Sequence, residues 1–476
     1  MNPGTQVKPR FGMGYPGLLA GEGAGPTVGA FVAARALLGL TLLAAPLAFG
    51  AVEPWAWTLL VLLALLELLL WGVGCIQNGS LKVIWSPIYW PAFLFLLFVA
   101  AQYCLHLTAD SIGTRESLLK LFADLVFLFL AGQFWGTASE PVRRRMGLVV
   151  AIYAFALSCF AILQFFSSHG LIYWSVRSLG RTFGPYVNRD HYAGLMEMLI
   201  PFGVVDLLSR PRRDPLGILL GVLVLLPIAS VLLSGSRGGM VALIVEILVL
   251  VSVMLAGGPR HARRRLTGKL VAGIVVAAFV FFWMDAGGAW LQLKIAFEVP
   301  YSSQAQLTFA DRKAASLDCL RIFRDHPWLG TGLGSFDSVF PRYQSFATGY
   351  NWTPAHNDYA QMLAETGLVG GLVTLWALAV FLFRAFGSLR QHLERPSGWI
   401  QVGAALGCCG ILVHSFVDFN LRIPANAAWF SVCAALACMR IPSAKPGSRP
   451  KTWEGRSSLS AKQGLLLRRP ASPLGE

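Results

Sequence analysis

Charged residues are scarce in this chain of 476 residues: 13% are charged, whereas 55% are hydrophobic. This composition excludes an ordinary soluble domain, because the apolar residues are too abundant and too continuous. A helix needs about 20 mostly apolar residues to cross the hydrocarbon core of a bilayer. Windows of that kind lie near residues 28–50, 55–74, 86–106, 117–136, 143–166, 192–209, 214–233, 238–256, 266–285, 366–386, 398–418 and 424–440. The sequence therefore predicts an all-α integral membrane protein with about twelve transmembrane helices.

The connections between these windows have few cysteines and lack the familiar metal and nucleotide motifs. Seven of the eight cysteines fall in or beside apolar windows, and only Cys319 lies in a long connection, so no disulfide framework is implied. The connections contain no Asp-x-Asp pair, and the segment GTGLGS has neither the spacing nor the context of a dinucleotide loop. We therefore expect no metal and no cofactor.

The net charge of +15 is explained by membrane topology rather than by nucleic acid. Basic clusters precede window five and lie between windows six and seven and between windows eight and nine, and short basic loops stay in the cytoplasm. No basic stripe is interleaved with exposed aromatic residues on a soluble domain. We expect both termini to be cytoplasmic and no nucleic-acid partner.

The chain divides into helical blocks, one large loop and two polar ends. We expect a disordered cytoplasmic leader at 1–27, transmembrane helices 1–9 at 28–285, a large extracytoplasmic loop at 286–365, transmembrane helices 10–12 at 366–440, and a disordered basic cytoplasmic tail at 441–476. A shorter polar segment at 167–191 falls on the same face as the large loop. Long connections on a rigid scaffold are the usual place for chemistry.

The large loop carries its own helix signal. Residues 311–324, DRKAASLDCLRIFR, have apolar positions at 314, 317 and 320, and Asp311 can act as the N-cap. This pattern predicts an amphipathic helix near the membrane surface. The helix ends before Pro327, and a glycine-punctuated turn follows.

Two arginines and one histidine stand out at the outer ends of the predicted spans. Arg237 in SGSRGGM offers a planar fork for phosphate, or it is a snorkelling residue in a tight turn. Arg312 opens the loop helix, where a salt bridge or a solvated face is the simpler interpretation. His356 can accept a proton from a hydroxyl, or it is a hydrogen-bonded residue at a helix entrance with Asn357 and Asp358 as caps.

Other polar residues are placed where they can support a site. On the outer face these are Arg181, Asn188, Arg189, His191, Asp418 and Asn420. Each of them can reach a substrate or simply cap a loop. Asp124 and Glu246 lie inside predicted spans and should point into the bundle, because a charged group facing lipid is costly.

Three segments in order, SGSRGG, DRKAASLDCLRIFRDHPWLGTGLGSF and HNDYAQMLAETGLVGG, resemble the O-antigen ligase and O-antigen polymerase superfamily of bacterial inner-membrane glycan-transfer proteins. The likeness covers about residues 180–440 and includes the earlier RTFGPYVNRDHYAG. It implies a GT-C-like glycosyltransferase architecture in the bacterial cytoplasmic membrane, with the active site on the extracytoplasmic side.

The resemblance also implies roles for three residues. In members of that family an arginine of the SRG segment, an arginine early in the loop helix and the histidine of the HN segment act together, and they correspond here to Arg237, Arg312 and His356. The arginines would hold the diphosphate of a polyprenyl-diphosphate-linked glycan, and the histidine would activate or orient the acceptor hydroxyl. The implied reaction is a metal-independent, inverting transfer.

The acceptor is left open by the sequence. A ligase would transfer a finished glycan to a lipid core or a protein, whereas a polymerase would join glycan repeat units to one another. A transporter of lipid-linked sugars is the rival from another class, since twelve spans suit it. Transporters, however, usually have ionisable or broken helices at the membrane midplane.

Overall fold

A computed structural model of the chain describes residues 29–136, 138–178, 180–210, 214–257, 309–347, 352–387, 393 and 398–439. The predicted leader, the window at 266–285, the first part of the large loop and the basic tail lie outside these residues. The helices are α1 (Gly29–Ala44), α2 (Pro54–Gln77), α3 (Tyr89–Cys104), α4 (Ser111–Gly136), α5 (Glu140–Ser167), α6 (Arg189–Ser209), α7 (Leu216–Ser234), α8 (Arg237–Gly257), α9 (Phe309–Asp325), α10 (Phe336–Val339), α11 (Asp358–Gly387), α12 (Trp399–His414) and α13 (Pro424–Ala437).

Eight of the helices within these ranges are long and apolar enough to cross a membrane, namely α1, α2, α4 to α8 and α11. Helices α3, α12 and α13 are apolar but shorter, with 16, 16 and 14 residues. All eleven lie over windows that the sequence predicts. The architecture fits a multi-pass integral membrane protein, and the total of twelve spans stays a prediction because one window falls outside the described ranges.

Helix α6 is the central column of the bundle. Asn188 caps it by accepting a hydrogen bond from Asp190 N at 2.9 Å. Of the residues in its apolar window, 83% are buried, and the helix packs against α5, α7, α8, α12 and α13. Because neighbouring helices cover most of its surface, α6 has little surface left for lipid and occupies the interior of the bundle. Its first turn, with Asp190 and His191, therefore lies inside the protein at one end of the bundle.

The described part of the large loop has a small apolar core of its own. Ala315, Cys319 and Ile322 of α9 pack with a group of aromatic and small residues from α10, from the segment before α11 and from the first turns of α11. Phe336 and Phe340 of this group are stacked, with ring centroids 4.5 Å apart. The loop is thus tied to the start of α11 by buried apolar surface.

The face of α9 that packs on the protein is not the one marked by the apolar positions 314, 317 and 320. Leu317 and Leu320, two of the three positions assigned to the apolar face, are 51% and 45% exposed, whereas the stripe at 315, 319 and 322 is buried. Small and apolar residues occur all round this helix, so its local pattern could not select the face that packs on α11. The predicted cap is also wrong: α9 begins at Phe309, which puts Asp311 inside the first turn.

Helix α11 is interrupted where the glycine-rich turn crosses it. Gly367 has φ 62° and ψ −161°, a conformation essentially restricted to glycine. The opened backbone binds the turn: Leu368 N donates to Pro327 O at 2.8 Å, and Gly332 N donates to Glu365 O at 2.8 Å. The helix starts at Asp358, eight residues before the predicted window at 366–386, and the break divides its loop portion from its apolar portion.

Candidate functional site

His356 lies in the connection just before α11 and is 5% exposed. Its Nδ1 is 3.1 Å from Asp418 Oδ1, in the connection between α12 and α13. The ring contacts Phe419 edge to face at 4.8 Å and Trp352 at 5.7 Å between centroids. One ring nitrogen is therefore engaged by a carboxylate, and aromatic edges hold the imidazole plane.

Asp418 is fully buried. Burial raises the pKa of this carboxyl, but the hydrogen bond with His356 and the nearby His191 and Arg312 outweigh it and hold the pKa below its usual range. A buried carboxylate that stays ionised favours an imidazole that carries a proton on Nδ1 and, once protonated on both nitrogens, stabilises the cation. Asp418 thus supports proton acceptance by His356.

The two residues after His356 shape its backbone. Asn357 Oδ1 accepts hydrogen bonds from Tyr359 N at 3.1 Å and Ala360 N at 3.0 Å, which is the capping role weighed for it from the sequence. Asp358 N donates to Ser415 O at 3.0 Å, and Asp358 Oδ2 accepts from Leu421 N at 3.1 Å. Both contacts of Asp358 tie the start of α11 to the segment that carries Asp418.

Arg312 reaches the same segment from the loop helix. Its Nη1 donates to Val417 O at 2.7 Å, and its Nη2 lies 3.5 Å from Asp190 Oδ2 in the first turn of α6. The side chain is 23% exposed. The salt bridge to Asp190 is long, so Asp190 does not fully engage the guanidinium, which lies near Asp418.

Arg237 begins α8, directly after a turn in which Gly235 has φ 68°. The next residue, Gly238, lies against the His414 ring and the Val417 side chain so closely that an added Cβ would collide with the imidazole. The glycine therefore lets α8 begin beside Val417, the residue whose carbonyl binds Arg312. Arg312 and His356 contact the 414–419 segment directly, and the residue that follows Arg237 packs against it.

The residues of the 167–191 connection have separate roles. His191 is 2% exposed, and its ring meets Phe419 edge to face with centroids 4.5 Å apart. Neither of its ring nitrogens has a hydrogen-bond partner among the described residues. Asn188 caps α6 as described above, and Arg181 is exposed, with its carbonyl accepting from Arg189 N at 2.8 Å. Only His191 of this set shares a contact with the His356 ring, through Phe419.

A supporting network that the sequence did not indicate fixes the segment before His356. Arg422 Nη2 is 2.8 Å from Glu365 Oε2, and Glu365 Oε1 accepts from Gln361 Nε2 at 3.0 Å. Gln361 Oε1 in turn accepts from Ala355 N at 2.9 Å. The spacing of Gln361 and Glu365, four residues apart on one helix face, is the only signal that could have suggested the pair.

The fold also brings together a group that no linear motif marks. Asp190, His414 and Asp418 each have a carboxylate oxygen or ring nitrogen within 4.8 Å of the others. Arg312 already provides a positive charge here, since its Nη2 is next to Asp190 and its Nη1 is bound to Val417 O. The guanidinium offsets part of the negative charge of the two carboxylates, and we assign no metal to the group.

Residues 193–375 match the family model described as O-antigen ligase, which supports the resemblance of this part of the chain to the O-antigen ligase superfamily and indicates a ligase- or polymerase-like function. The matched range contains Arg237, Arg312 and His356 but ends before Asp418. No curated protein matches the chain in a sequence search.

Proposed function

We propose that this protein, which carries an O-antigen ligase domain, transfers a glycan from a polyprenyl-diphosphate carrier to an acceptor hydroxyl on the extracytoplasmic face of the bacterial cytoplasmic membrane. The observation that carries the proposal is the buried His356–Asp418 pair, 3.1 Å apart, beside the guanidinium of Arg312. A general base next to cationic groups is the combination that such a transfer needs.

In the proposed reaction His356 is the base. With its Nδ1–H directed to Asp418, Nε2 is the nitrogen that can take the proton of the acceptor hydroxyl. The acceptor oxygen attacks the anomeric carbon as the carbon–oxygen bond to the diphosphate breaks. A single displacement of this kind inverts the anomeric configuration and needs no covalent enzyme intermediate.

Arg237 and Arg312 are proposed to bind the diphosphate. Guanidinium pairs two phosphate oxygens with parallel hydrogen bonds, and its charge stabilises the negative charge that grows on the leaving group. Two fixed guanidinium groups can provide this stabilisation without a divalent cation, so the proposed transfer is metal-independent.

The lipid tail of the donor explains why the site lies at the end of the bundle. A polyprenyl chain stays in the bilayer, so its diphosphate is confined to the headgroup layer. Arg237 opens one spanning helix, and His356 precedes another by two residues.

The positive-inside pattern of the basic loops supports a site on the extracytoplasmic side and cytoplasmic termini. Reporter fusions in the large loop and at the C-terminus test this orientation. A signal from a cytoplasm-specific reporter fused to the loop would show that the orientation is the opposite one.

The acceptor separates two versions of the proposal. A ligase uses a lipid core or a protein as acceptor, and a polymerase uses the next lipid-linked repeat unit, with the same donor chemistry. The gene is deleted in the source bacterium, and surface glycans and lipid-linked intermediates are analysed. Full-length polymer stranded on the carrier indicates the ligase, and single repeat units indicate the polymerase.

The deletion experiment also tests the proposal as a whole. The strain is complemented with the wild-type gene and with the His356→Ala variant, and only the first is expected to restore the glycan. Unchanged glycans in the deletion strain would reject the transferase. Repeat units retained on the cytoplasmic side would favour the lipid-linked sugar transporter.

A further inference from the structure

Helix α9 has a second apolar stripe, on the side that does not pack on the protein. Leu317 and Leu320 are 51% and 45% exposed, and Trp328, in the turn after the helix, is 67% exposed. The contact of α9 with α11 and the aromatic residues is already made by the other stripe, at 315, 319 and 322. Among the described residues, these two leucines and the indole are therefore left at the surface.

The same side of α9 carries basic residues. Lys313, Arg321 and Arg324 are exposed. At 3.6 residues per turn, these basic residues and the two leucines share an arc of about 100° on the helix. Every aspartate of α9 falls outside that arc, and the helix contains no glutamate. We call this set of leucines and basic residues, together with Trp328, the outer stripe.

The amino-terminal end of α9 is fixed at one end of the bundle. Arg312 Nη1 donates to Val417 O at 2.7 Å, just beyond the end of α12, and Nη2 lies 3.5 Å from Asp190 Oδ2 in the first turn of α6. Helix α6 is long and apolar enough to cross a membrane, so its first turn marks the edge of the bilayer. The start of α9 therefore lies at that edge.

The carboxyl-terminal end of α9 reaches a similar level. Trp328 O accepts a hydrogen bond from Val369 N at 3.1 Å, next to the break where the apolar portion of α11 begins. Leu368, Val369 and Leu372 are exposed, as expected of a surface that faces lipid. Tryptophan is enriched at this boundary between water and membrane. Because both of its ends lie near the edge of the bilayer, α9 runs along the membrane surface.

The composition of the outer stripe fits a bilayer with anionic headgroups. Aliphatic and indole groups enter the boundary between headgroups and acyl chains, while Lys and Arg extend to the headgroup phosphates. Acidic phospholipids attract basic residues held near the surface, whereas zwitterionic lipids carry no net charge to attract them. The exposed apolar surface of α11 begins beside Trp328, so the lipid around the bundle is continuous with the stripe.

We propose that the outer stripe of α9 is a docking surface for anionic phospholipids of the surrounding bilayer. Docking holds α9 against the end of the bundle, and with it Arg312, which projects from another side of the same helix. The inference concerns lipid binding and does not depend on the proposed glycan transfer. Its failure would therefore leave the proposed function untouched.

Hydroxyl-radical footprinting of the full-length protein in nanodiscs tests the proposal, with no lipid-linked donor present. Oxidation of Leu320 and Trp328 is measured by mass spectrometry in discs of phosphatidylcholine and in discs that also contain phosphatidylglycerol. The anionic lipid should lower the oxidation of both residues by about threefold or more, because its headgroups cover the stripe. Equal oxidation in the two kinds of disc would overturn the proposal, whether zwitterionic lipid, residues 258–308 or nothing covers the stripe.

Lys313→Gln/Arg324→Gln removes two positive charges from the stripe and keeps its apolar residues. Arg321 is left in place, because it also forms a 2.8 Å salt bridge with the buried Asp318. The variant should fold, since both changed side chains are exposed. It should lose most of the protection that phosphatidylglycerol gives to Trp328. Protection equal to that of the wild type would overturn the proposal.

Lys82→Gln/Arg177→Gln is the matched control. Both residues are exposed and lie outside α9, and the change removes the same charge from the protein. The control should keep the protection of Leu320 and Trp328 seen in the wild type. An equal loss in the control would mean that the overall charge of the protein attracts the lipid, and it would overturn docking at the stripe. Thermal unfolding checks that both variants are folded, and the wild-type comparison needs no variant.

Discussion

At the scale of single residues, His356 adopts a backbone conformation that side-chain-bearing residues avoid. Its φ is 54°, in the left-handed region, where a non-glycine residue costs about 1 kcal/mol or more. The neighbouring bonds hold it there: Asn357 caps α11, and Asp358 N binds Ser415 O. Strain that is maintained by its surroundings is typical of functional positions, and here it directs the imidazole to Asp418.

His356→Ala is expected to lower kcat for glycan transfer by roughly 10²–10⁴-fold, because the proposed base is lost. The protein should stay folded in detergent, since the caps of α11 come from other residues. Transfer is measured with a lipid-linked glycan and separated acceptor, and folding is measured by thermal unfolding. Wild-type transfer by the variant would remove His356 from the mechanism.

Arg237→Lys tests whether the planar fork matters beyond its charge. Losing one charge-assisted hydrogen bond costs about 1.5–3 kcal/mol, so kcat/KM should fall on the order of 10- to 100-fold. The control is Arg324→Lys in α9, whose side chain is 81% exposed and should tolerate the change. Equal rates for both variants would leave Arg237 with only an electrostatic or structural role.

At the scale of elements, the loop and the bundle are joined at the break in α11. Gly367 is in backbone contact with the glycine-rich turn, and an added Cβ there would lie 2.6 Å from Gly330 N. On the loop side of the break, α11 carries Asp358 and the Gln361–Glu365 pair, and α9 with Arg312 packs against it. The break therefore sets the position of two proposed functional segments relative to the membrane helices.

Gly367→Ala is expected to destabilise the protein by about 1–3 kcal/mol or more, because alanine cannot adopt this conformation without strain and its Cβ meets backbone atoms. Thermal unfolding in nanodiscs provides the measurement. Gly221→Ala in α7, where an added Cβ meets nothing within 4 Å, is the control and should be neutral or stabilising. An unchanged unfolding midpoint for Gly367→Ala would show that the glycine conformation at the break does not contribute to stability.

The elements themselves were largely predictable, because long apolar windows and glycine or proline boundaries are local signals. The helix at 311–324 was also predicted, but its buried face was not. Which of two possible stripes is buried depends on the partner surface, and that surface is supplied by α11, Phe336 and Phe340, far along the chain. The break at Gly367 was missed for the same reason, since the turn that requires it begins 40 residues earlier, at Pro327.

At the scale of the whole molecule, the site is assembled from separate parts of the chain. Asp190 comes from α6, Arg237 from α8, Arg312 from α9, and His356 and Asp418 from connections on either side of α11 and α12. Loops and short helix ends of this kind are held by the rigid bundle beneath them, with α6 as its central column. In this arrangement the guanidinium of Arg312 offsets part of the carboxylate charge.

Chelation tests that balance. EDTA is expected to leave the transfer rate of the purified enzyme unchanged, because Arg237 and Arg312 are proposed to supply the positive charge that a divalent cation provides elsewhere. The control is a divalent-dependent glycosyltransferase assayed in the same buffer, which should be inhibited. Inhibition of this protein that is reversed by added Mg²⁺ or Mn²⁺ would contradict the metal-independent mechanism.

The sequence by itself determined that the chain is an integral membrane protein, where most of its spans lie, and which two arginines and which histidine to examine, since hydropathy and short motifs are local properties. Only the tertiary structure decided that Asp418 is the partner of His356, that Arg312 is held between Val417 and Asp190, and that Glu197 and His414 form a second pair. These contacts join residues 62, 105, 122 and 217 positions apart, and such distant pairs are chosen by helix packing rather than by any local pattern.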